Sequence, residues 1–206
     1  MLKNVFFTPI GISGAALVGK DTLCNEVISI FEKKFDIKSK RHSIAGDFIK
    51  KDLKNMILKN LKLKIDPNSP KEKEIMRPLM VEYGRYMRKK TKGRYFIEKL
   101  NENKQFGKGY VPIITDIRYT EYPKDELYWL KREKNGILIF LERKGIKDAN
   151  EFEKKNNIIL KNNADFHINV PNFKNISEYS VYMKDIVLNI VESYTLPLTN
   201  RTSFGS

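Results

Sequence analysis

The sequence is poor in the residues that build disulfide frameworks and zinc sites. It has one cysteine, Cys24, and two histidines, His42 and His167, among 206 residues. A single cysteine excludes an internal disulfide and favours a reducing compartment, and two histidines disfavour a zinc site. We therefore expect a cytoplasmic protein whose fold is held together by its apolar core.

Long apolar runs are also missing. The mostly apolar stretch 5–18 is interrupted by Pro9, Gly11 and Gly14, lacks a small-residue cleavage site, and is followed at once by charged residues. These features disfavour a signal peptide. No other run approaches the roughly 20 apolar residues that cross a bilayer, so we expect no membrane partner.

Acidic residues are scarce relative to basic ones. The chain has 39 Lys and Arg against 25 Asp and Glu, which gives a formal net charge of +14 at pH 7. This balance favours a polyanionic partner, which includes nucleic acid, an acidic membrane surface or a small phosphorylated ligand, without choosing among them. The length and the 41% hydrophobic content suit one domain with its own core.

The order of predicted elements is typical of an α/β protein. Short apolar runs predict strands, and apolar residues at helical spacing predict helices. The predicted strands are 5–12, 40–45, 111–115, 137–141 and 166–170, and the predicted helices are 21–35, 47–63, 72–90, 96–103 and 176–193. Strands that alternate with helices favour a three-layer α/β fold with a parallel sheet flanked by helices. We expect a single domain over residues 1–194, a helical insertion at about 46–108, and a flexible tail over 195–206.

The most informative segment lies between the first predicted strand and the first predicted helix. Residues 14–22, Gly-Ala-Ala-Leu-Val-Gly-Lys-Asp-Thr, fit the P-loop pattern G-x-x-x-x-G-K in the context that a P-loop requires. Main-chain N–H groups of such a loop surround a phosphate, and the helix N-terminus adds partial positive charge. The predicted ATP and phosphate ligands from this loop are Gly14, Ala15, Ala16, Val18, Gly19, Lys20, Asp21 and Thr22.

One position of this loop departs from the usual pattern. The residue after the lysine is normally Ser or Thr, whose hydroxyl binds Mg²⁺, but here it is Asp21, with Thr22 next. A carboxylate can serve Mg²⁺ directly or through water, so Asp21 is a candidate metal ligand. The alternative is a glycine turn that caps a core strand, with Asp21 or Thr22 as a helix cap.

The Gly-Lys-Asp-Thr ending of the loop resembles that of the phage-type deoxynucleoside monophosphate kinases, which are P-loop kinases. Further segments match that family in order: 43–50, 77–80 with 83–85, 94–96, the Asp-x-Arg strand end at 114–119, and 164–170. The resemblance covers roughly residues 4–192. The family's Asn-Glu pair after Asp-x-Arg is replaced by Glu121-Tyr122, and its His-containing lid segment is absent between Arg143 and Asn163.

The resemblance implies a P-loop NTPase fold, a monophosphate-binding role for the insertion, a lid at about 143–163, and phosphorylation of deoxynucleoside 5′-monophosphates by ATP with Mg²⁺. Lys20 would clamp the outer phosphates. Asp116 ends an apolar strand, where α/β sheets bind ligands, and would hold Mg²⁺ or orient Arg118. Arg118 would clamp the transferred or acceptor phosphate. The alternatives are a strand-end cap for Asp116 and a surface ion pair for Arg118.

Further basic residues are candidates for the two nucleotides. Arg143, at the start of the lid, is a candidate ATP ligand. The candidate substrate-binding residues are Asp47, Lys50, Arg77, Arg85 and Arg94. A guanidinium fork fits a phosphate well, although a solvated basic helix face is the commoner fate of a single arginine.

Two other functions remain open. Animal-type phosphomevalonate kinases share the Gly-Lys-Asp loop and the Asp-x-Arg element, and the +14 charge also fits a nucleic-acid-binding protein with a degenerate P-loop. The main expectation is a kinase whose partners are ATP and a deoxynucleoside monophosphate, with no obligatory nucleic acid and a homodimer left open. The abundance of Lys, Asn and Ile fits a viral AT-rich genome, which would place the protein in the host cytoplasm.

Overall fold

The computed structural model describes residues 6–148, 150–173 and 175–202. Within them, all strand pairs of the central five-stranded sheet are parallel, and the strand order is β2-β3-β1-β4-β5. The strands are β1 (Ile10–Ser13), β2 (Ser39–His42), β3 (Val111–Ile114), β4 (Ile137–Arg143) and β5 (Phe166–Val170). This confirms the parallel α/β sheet that the sequence predicts.

Helices occupy most of the segments between the strands. They are α1 (Lys20–Phe35), α2 (Gly46–Leu61), α3 (Pro70–Thr91), α4 (Tyr95–Asn101), α5 (Glu126–Tyr128), α6 (Glu151–Asn162) and α7 (Ile176–Thr202). A π-helical turn (Trp129–Glu133) continues α5. The sequence did not predict α5, the π-helical turn or α6. Helix α7 continues to Thr202, where a flexible tail was predicted from 195, and residues 203–206 lie outside the described residues.

Two of the predicted strands are shorter than expected by two residues or more. Strand β1 begins at Ile10, and the chain before it pairs instead with the 106–108 turn, where Phe7 N donates to Gly107 O at 2.9 Å. Strand β2 ends at His42, because the next main-chain N–H groups leave the sheet ladder and donate to the Asp116 carboxylate. Both ends are therefore set by contacts distant in sequence.

The sheet separates two apolar layers, as side chains alternate across its faces. One layer contains Ile12 and Ile139 with the buried faces of α1 and α7. The other contains Leu138 and Phe140 with α2, α3, α4 and the π-helical turn. Gly11 on β1 faces this second layer, where an added Cβ would lie 2.5 Å from Leu130 Cδ2. The three-layer arrangement is thus confirmed. The absence of a side chain at Gly11 lets the π-helical turn approach the central strand closely.

The insertion between β2 and β3 consists of α2, α3 and α4. Asp52 on α2 joins the three helices, because its Oδ2 accepts hydrogen bonds from Tyr83 OH on α3 at 3.0 Å and from Tyr95 OH on α4 at 3.2 Å. These tyrosines therefore serve the packing of the insertion. In the described part of the chain, no helix is long and apolar enough to cross a membrane.

Candidate active site

The P-loop, residues 14–19, connects β1 to α1 at the carboxyl edge of the sheet. Gly14 has φ +131°, and an added Cβ would lie 2.3 Å from Leu141 O, so this position requires glycine. Gly19, at the N-cap of α1, has φ +107°. The exposed tip of the loop is Leu17, at φ +63°. The predicted P-loop therefore has the strand–loop–helix placement that its spacing indicates.

Lys20 opens α1 and is 8% exposed. Its Nζ donates hydrogen bonds to Gly14 O at 2.7 Å and to Ala15 O at 2.6 Å, so the ammonium group lies inside the curl of the loop. Burial, and next the positive charge of Arg118, lower the pKa of Lys20 to about 8. The negative charges of Glu153, Asp21 and Asp116 oppose this lowering of the Lys20 pKa.

Proton uptake on nucleotide binding follows from this lowered pKa. Bound phosphates would favour the ammonium form of Lys20. If its pKa returns to the ordinary value of about 10.4, we expect the protein to take up roughly 0.7 proton when it binds an ATP analogue at about pH 8.5. Calorimetry in buffers of different ionisation enthalpy measures this uptake. The same uptake in a Lys20→Ala variant would contradict the assignment, because the titrating group would then be another residue.

Asp116 follows β3 and holds the start of α2. Its Oδ1 accepts from Ile44 N at 2.7 Å, and its Oδ2 accepts from Ser43 Oγ at 2.6 Å, Ala45 N at 3.0 Å and Gly46 N at 3.2 Å. The carboxylate is therefore the anion at the N-terminus of α2. This geometry favours the capping and orienting roles left open by the sequence over direct binding of Mg²⁺.

Arg118 lies two residues beyond Asp116, with an exposed side chain. The carboxylate of Glu126 holds its main chain, because Glu126 Oε2 accepts from Arg118 N at 2.8 Å and from Tyr119 N at 3.1 Å. Arg118 is thus held at the carboxyl edge of the sheet, which also carries the P-loop, because β1 and β3 are parallel.

Asp21, the predicted Mg²⁺ ligand of the P-loop, is exposed on the first turn of α1. Its Oδ1 accepts a hydrogen bond from Arg41 Nη2 at 2.6 Å. Among the described residues, no group of three or more His, Cys, Asp or Glu side chains is arranged to hold a metal ion. The single exposed carboxylate of Asp21 fits Mg²⁺ that arrives with ATP, since Mg²⁺ commonly binds through one or two carboxylates, substrate phosphates and water.

The candidate substrate-binding arginines are not brought together. Arg77 is paired with Glu74 of its own helix at 2.8 Å, and the exposed Arg85 lies 4.0 Å from Glu82. Both therefore occupy the solvated basic face that was the alternative for α3.

Arg94 also has structural partners. Its Nη1 donates to Glu133 Oε1 at 2.6 Å and to Lys124 O at 3.0 Å, which fastens the start of α4 to the segment around α5. Lys50 donates to Asn68 Oδ1 at 3.3 Å, and Asp47 is exposed beside Gly46, which Asp116 holds. Of the candidate acceptor residues, Asp47 is thus the one next to the Asp116 anchor.

A buried ion pair at this site was not predicted from the sequence, which indicates Arg88 only as one of four arginines of the insertion that could bind the acceptor phosphate. Arg88 and Glu126 have side chains only 5% and 2% exposed, and Arg88 Nη2 lies 2.8 Å from Glu126 Oε1. The one available signal was Gly84, four residues before Arg88, whose added Cβ would lie 3.2 Å from Arg88 Nη1. Glu126 lies in a segment for which no element was predicted.

Arg143 lines a cavity of about 690 Å³ on the β4–β5 side of the P-loop, together with Ala15, Val18 and Lys144. Its guanidinium carbon lies 6.0 Å from the ring centroid of Tyr179, and its Nε is buried without a hydrogen-bond partner among the described residues. The cavity is large enough for part of a nucleotide and opens beside the loop that would hold the phosphates.

No family model and no curated protein sequence matches the chain. Among solved structures, shikimate kinase from Acinetobacter baumannii in complex with shikimate is similar to it, with 13% identity, a TM-score of 0.45 and 94% of each chain covered. Dephospho-CoA kinase from Campylobacter jejuni is also similar, with 17% identity and a TM-score of 0.40, over 89% of this chain and 95% of that chain. Similarity at this level says nothing of activity. The chain's own parallel sheet and the loop between β1 and α1 make it a three-layer α/β protein of the P-loop NTPase fold.

Proposed function

We propose that this protein is a P-loop kinase that transfers the γ-phosphoryl group of ATP to a deoxynucleoside 5′-monophosphate, yielding the diphosphate and ADP. The observation that carries the proposal is the buried Lys20 ammonium inside the P-loop, at the same edge of the sheet as Arg118. Cations at this edge suit a reaction in which negative charge spreads over the equatorial oxygens of the transferred group.

The roles of the chain's residues follow from their positions. The P-loop N–H groups and the N-terminus of α1 would hold the β-phosphate. Lys20 would leave the carbonyls of Gly14 and Ala15 and turn to the β- and γ-phosphates. Arg118 would neutralise charge on the transferred group, while Asp116 keeps the end of β3 fixed against the start of α2. Mg²⁺, when bound with ATP, supplies further neutralisation, with Asp21 as its candidate ligand.

The two nucleotides are assigned to opposite sides of this centre. The cavity beside Arg143 and Val18 is the proposed site of the ATP nucleoside. The acceptor is assigned to the side of the insertion, where Asp47 begins α2 next to the Asp116 anchor. The choice of a deoxynucleoside monophosphate rests on the Gly-Lys-Asp-Thr loop and the Asp-x-Arg strand end, which resemble those of the phage-type kinases.

A coupled assay of ADP formation tests the proposal. The purified protein is mixed with ATP, Mg²⁺ and each of the four deoxynucleoside monophosphates, with phosphomevalonate as a parallel acceptor and an acceptor-free blank. We expect ADP formation above the blank with at least one deoxynucleoside monophosphate. ADP with phosphomevalonate alone would favour the other acceptor, and salt-sensitive DNA binding without any turnover would favour the nucleic-acid-binding alternative.

A further inference from the structure

The buried carboxylate of Glu126 accepts hydrogen bonds from four N–H groups of three residues. Its Oε1 accepts from Arg88 Nε at 3.3 Å and from Arg88 Nη2 at 2.8 Å, and its Oε2 accepts from Arg118 N and Tyr119 N. One carboxylate therefore joins a guanidinium of the insertion to the main chain that carries the exposed Arg118.

The segment around Arg118 is held at two points. Asp116 is tied to the chain at 43–46, and two residues later the N–H groups of Arg118 and Tyr119 are tied to Glu126. Ile117, between the anchors, is completely buried. The main chain of Arg118 is thus fixed on both sides, and its side chain is exposed.

Arg88 completes the link to the insertion. Its guanidinium carbon lies 3.5 Å from the ring centroid of Tyr119 and 5.0 Å from that of Phe96, so it is enclosed by aromatic rings while it pairs with Glu126. Burial raises the pKa of Glu126, and Arg88 and the main-chain N–H groups oppose that rise. Because each buried charge depends on the other, a displacement of α3 would also displace Glu126 and the main chain that it holds.

We propose that Glu126 is a positioning residue that sets the place of Arg118 at the carboxyl edge of the sheet and makes this place depend on helix α3 of the insertion. Acceptor binding on the insertion and phosphate binding at the P-loop are then linked through Arg88, Glu126 and Arg118. The catalytic part of this inference rests on the proposed kinase function, but the positioning of Arg118 is measurable without turnover.

The neighbouring Asp125 supplies a matched control. It is also buried, at 3% exposure, and its Oδ2 accepts from Tyr122 N at 2.9 Å. None of the hydrogen bonds described for the Asp125 carboxylate comes from Arg118 or Arg88. Asp125→Asn and Glu126→Gln therefore make the same chemical change at adjacent buried positions, with only the second on the proposed path.

We expect Glu126→Gln to lower kcat by about 10- to 100-fold with little change in the KM for ATP, since the amide has one acceptor oxygen and presents N–H donors to donors. Asp125→Asn is expected to keep the wild-type kcat. Amide hydrogen exchange gives a second readout. In Glu126→Gln the main-chain N–H groups of Arg118 and Tyr119 should exchange faster, because they lose their carboxylate acceptor, and in Asp125→Asn they should keep the wild-type exchange rate.

A double variant separates positioning from folding. Glu126→Gln with Arg88→Met removes both buried charges, which is expected to recover the stability that the single variant loses. Positioning predicts that the double variant still has low kcat and fast amide exchange at Arg118 and Tyr119. Recovery of both with stability would overturn the inference, and so would amide exchange of these two residues in Glu126→Gln identical to wild type. A wild-type protein without turnover would defeat the proposed function, while the amide exchange would still decide the positioning.

Discussion

Replacement of Lys20 by alanine is expected to reduce kcat by at least about 10²- to 10³-fold, the loss typical of removing one preorganised group that stabilises transition-state charge. The fold should survive. Burial and Arg118 lower the pKa of Lys20 below its ordinary value. The charged ammonium therefore lowers the free energy of unfolding at every pH below the ordinary lysine pKa. The alanine variant loses this unfavourable contribution and keeps the P-loop glycines. Initial rates and thermal unfolding measure the two effects.

A second lysine of the same helix provides the control for Lys20→Ala. Lys33 is exposed on the last turn of α1, so Lys33→Ala should keep both the rate and the melting temperature. Full activity in Lys20→Ala would refute the phosphate-clamp role. If the alanine variant failed to fold, Lys20→Met would retain most of the apolar stem and allow the same comparison.

The parts of the fold that the sequence predicted are those with local signals. The P-loop combines fixed glycine spacing with a strand before it and a helix after it, and α1 begins one residue from its predicted start. Helix α6 was missed because it has almost no apolar stripe: its buried residues are Asn156 and Leu160. The turn after α5 was missed because it buries the adjacent residues Trp129 and Leu130, which do not follow the period of an α-helix.

The contacts of the site residues could be predicted from the sequence only where residue type and spacing together indicate one partner. Position 116 could be placed at a strand end, but its partners are main-chain N–H groups about 70 residues earlier, and such donors carry no sequence signal. Arg77 has an acid three residues before it, which the helical spacing predicts as a local pair. The partner of Arg88 lies 38 residues further along the chain, so its burial followed from tertiary packing alone.

Replacement of Arg118 by alanine is the second large loss that we expect. An arginine that neutralises the transferred phosphoryl group is worth about 10³-fold or more in kcat. The side chain is exposed, so the free energy of unfolding should change by no more than about 0.5 kcal/mol. Arg132, exposed on the π-helical turn, is the matched control, and Arg132→Ala should keep the wild-type rate. An unchanged kcat in Arg118→Ala would remove Arg118 from the mechanism.

The conservative variant and a double variant define how Arg118 acts. Arg118→Lys keeps the charge but loses the planar fork, so it should leave Lys20 with a lowered pKa and restore only part of the rate. If Glu126 acts through Arg118, the double variant Arg118→Ala/Glu126→Gln should be no slower than Arg118→Ala alone, because the positioned group is already gone. Multiplied losses in the double variant would instead mean that the two residues contribute to the rate independently.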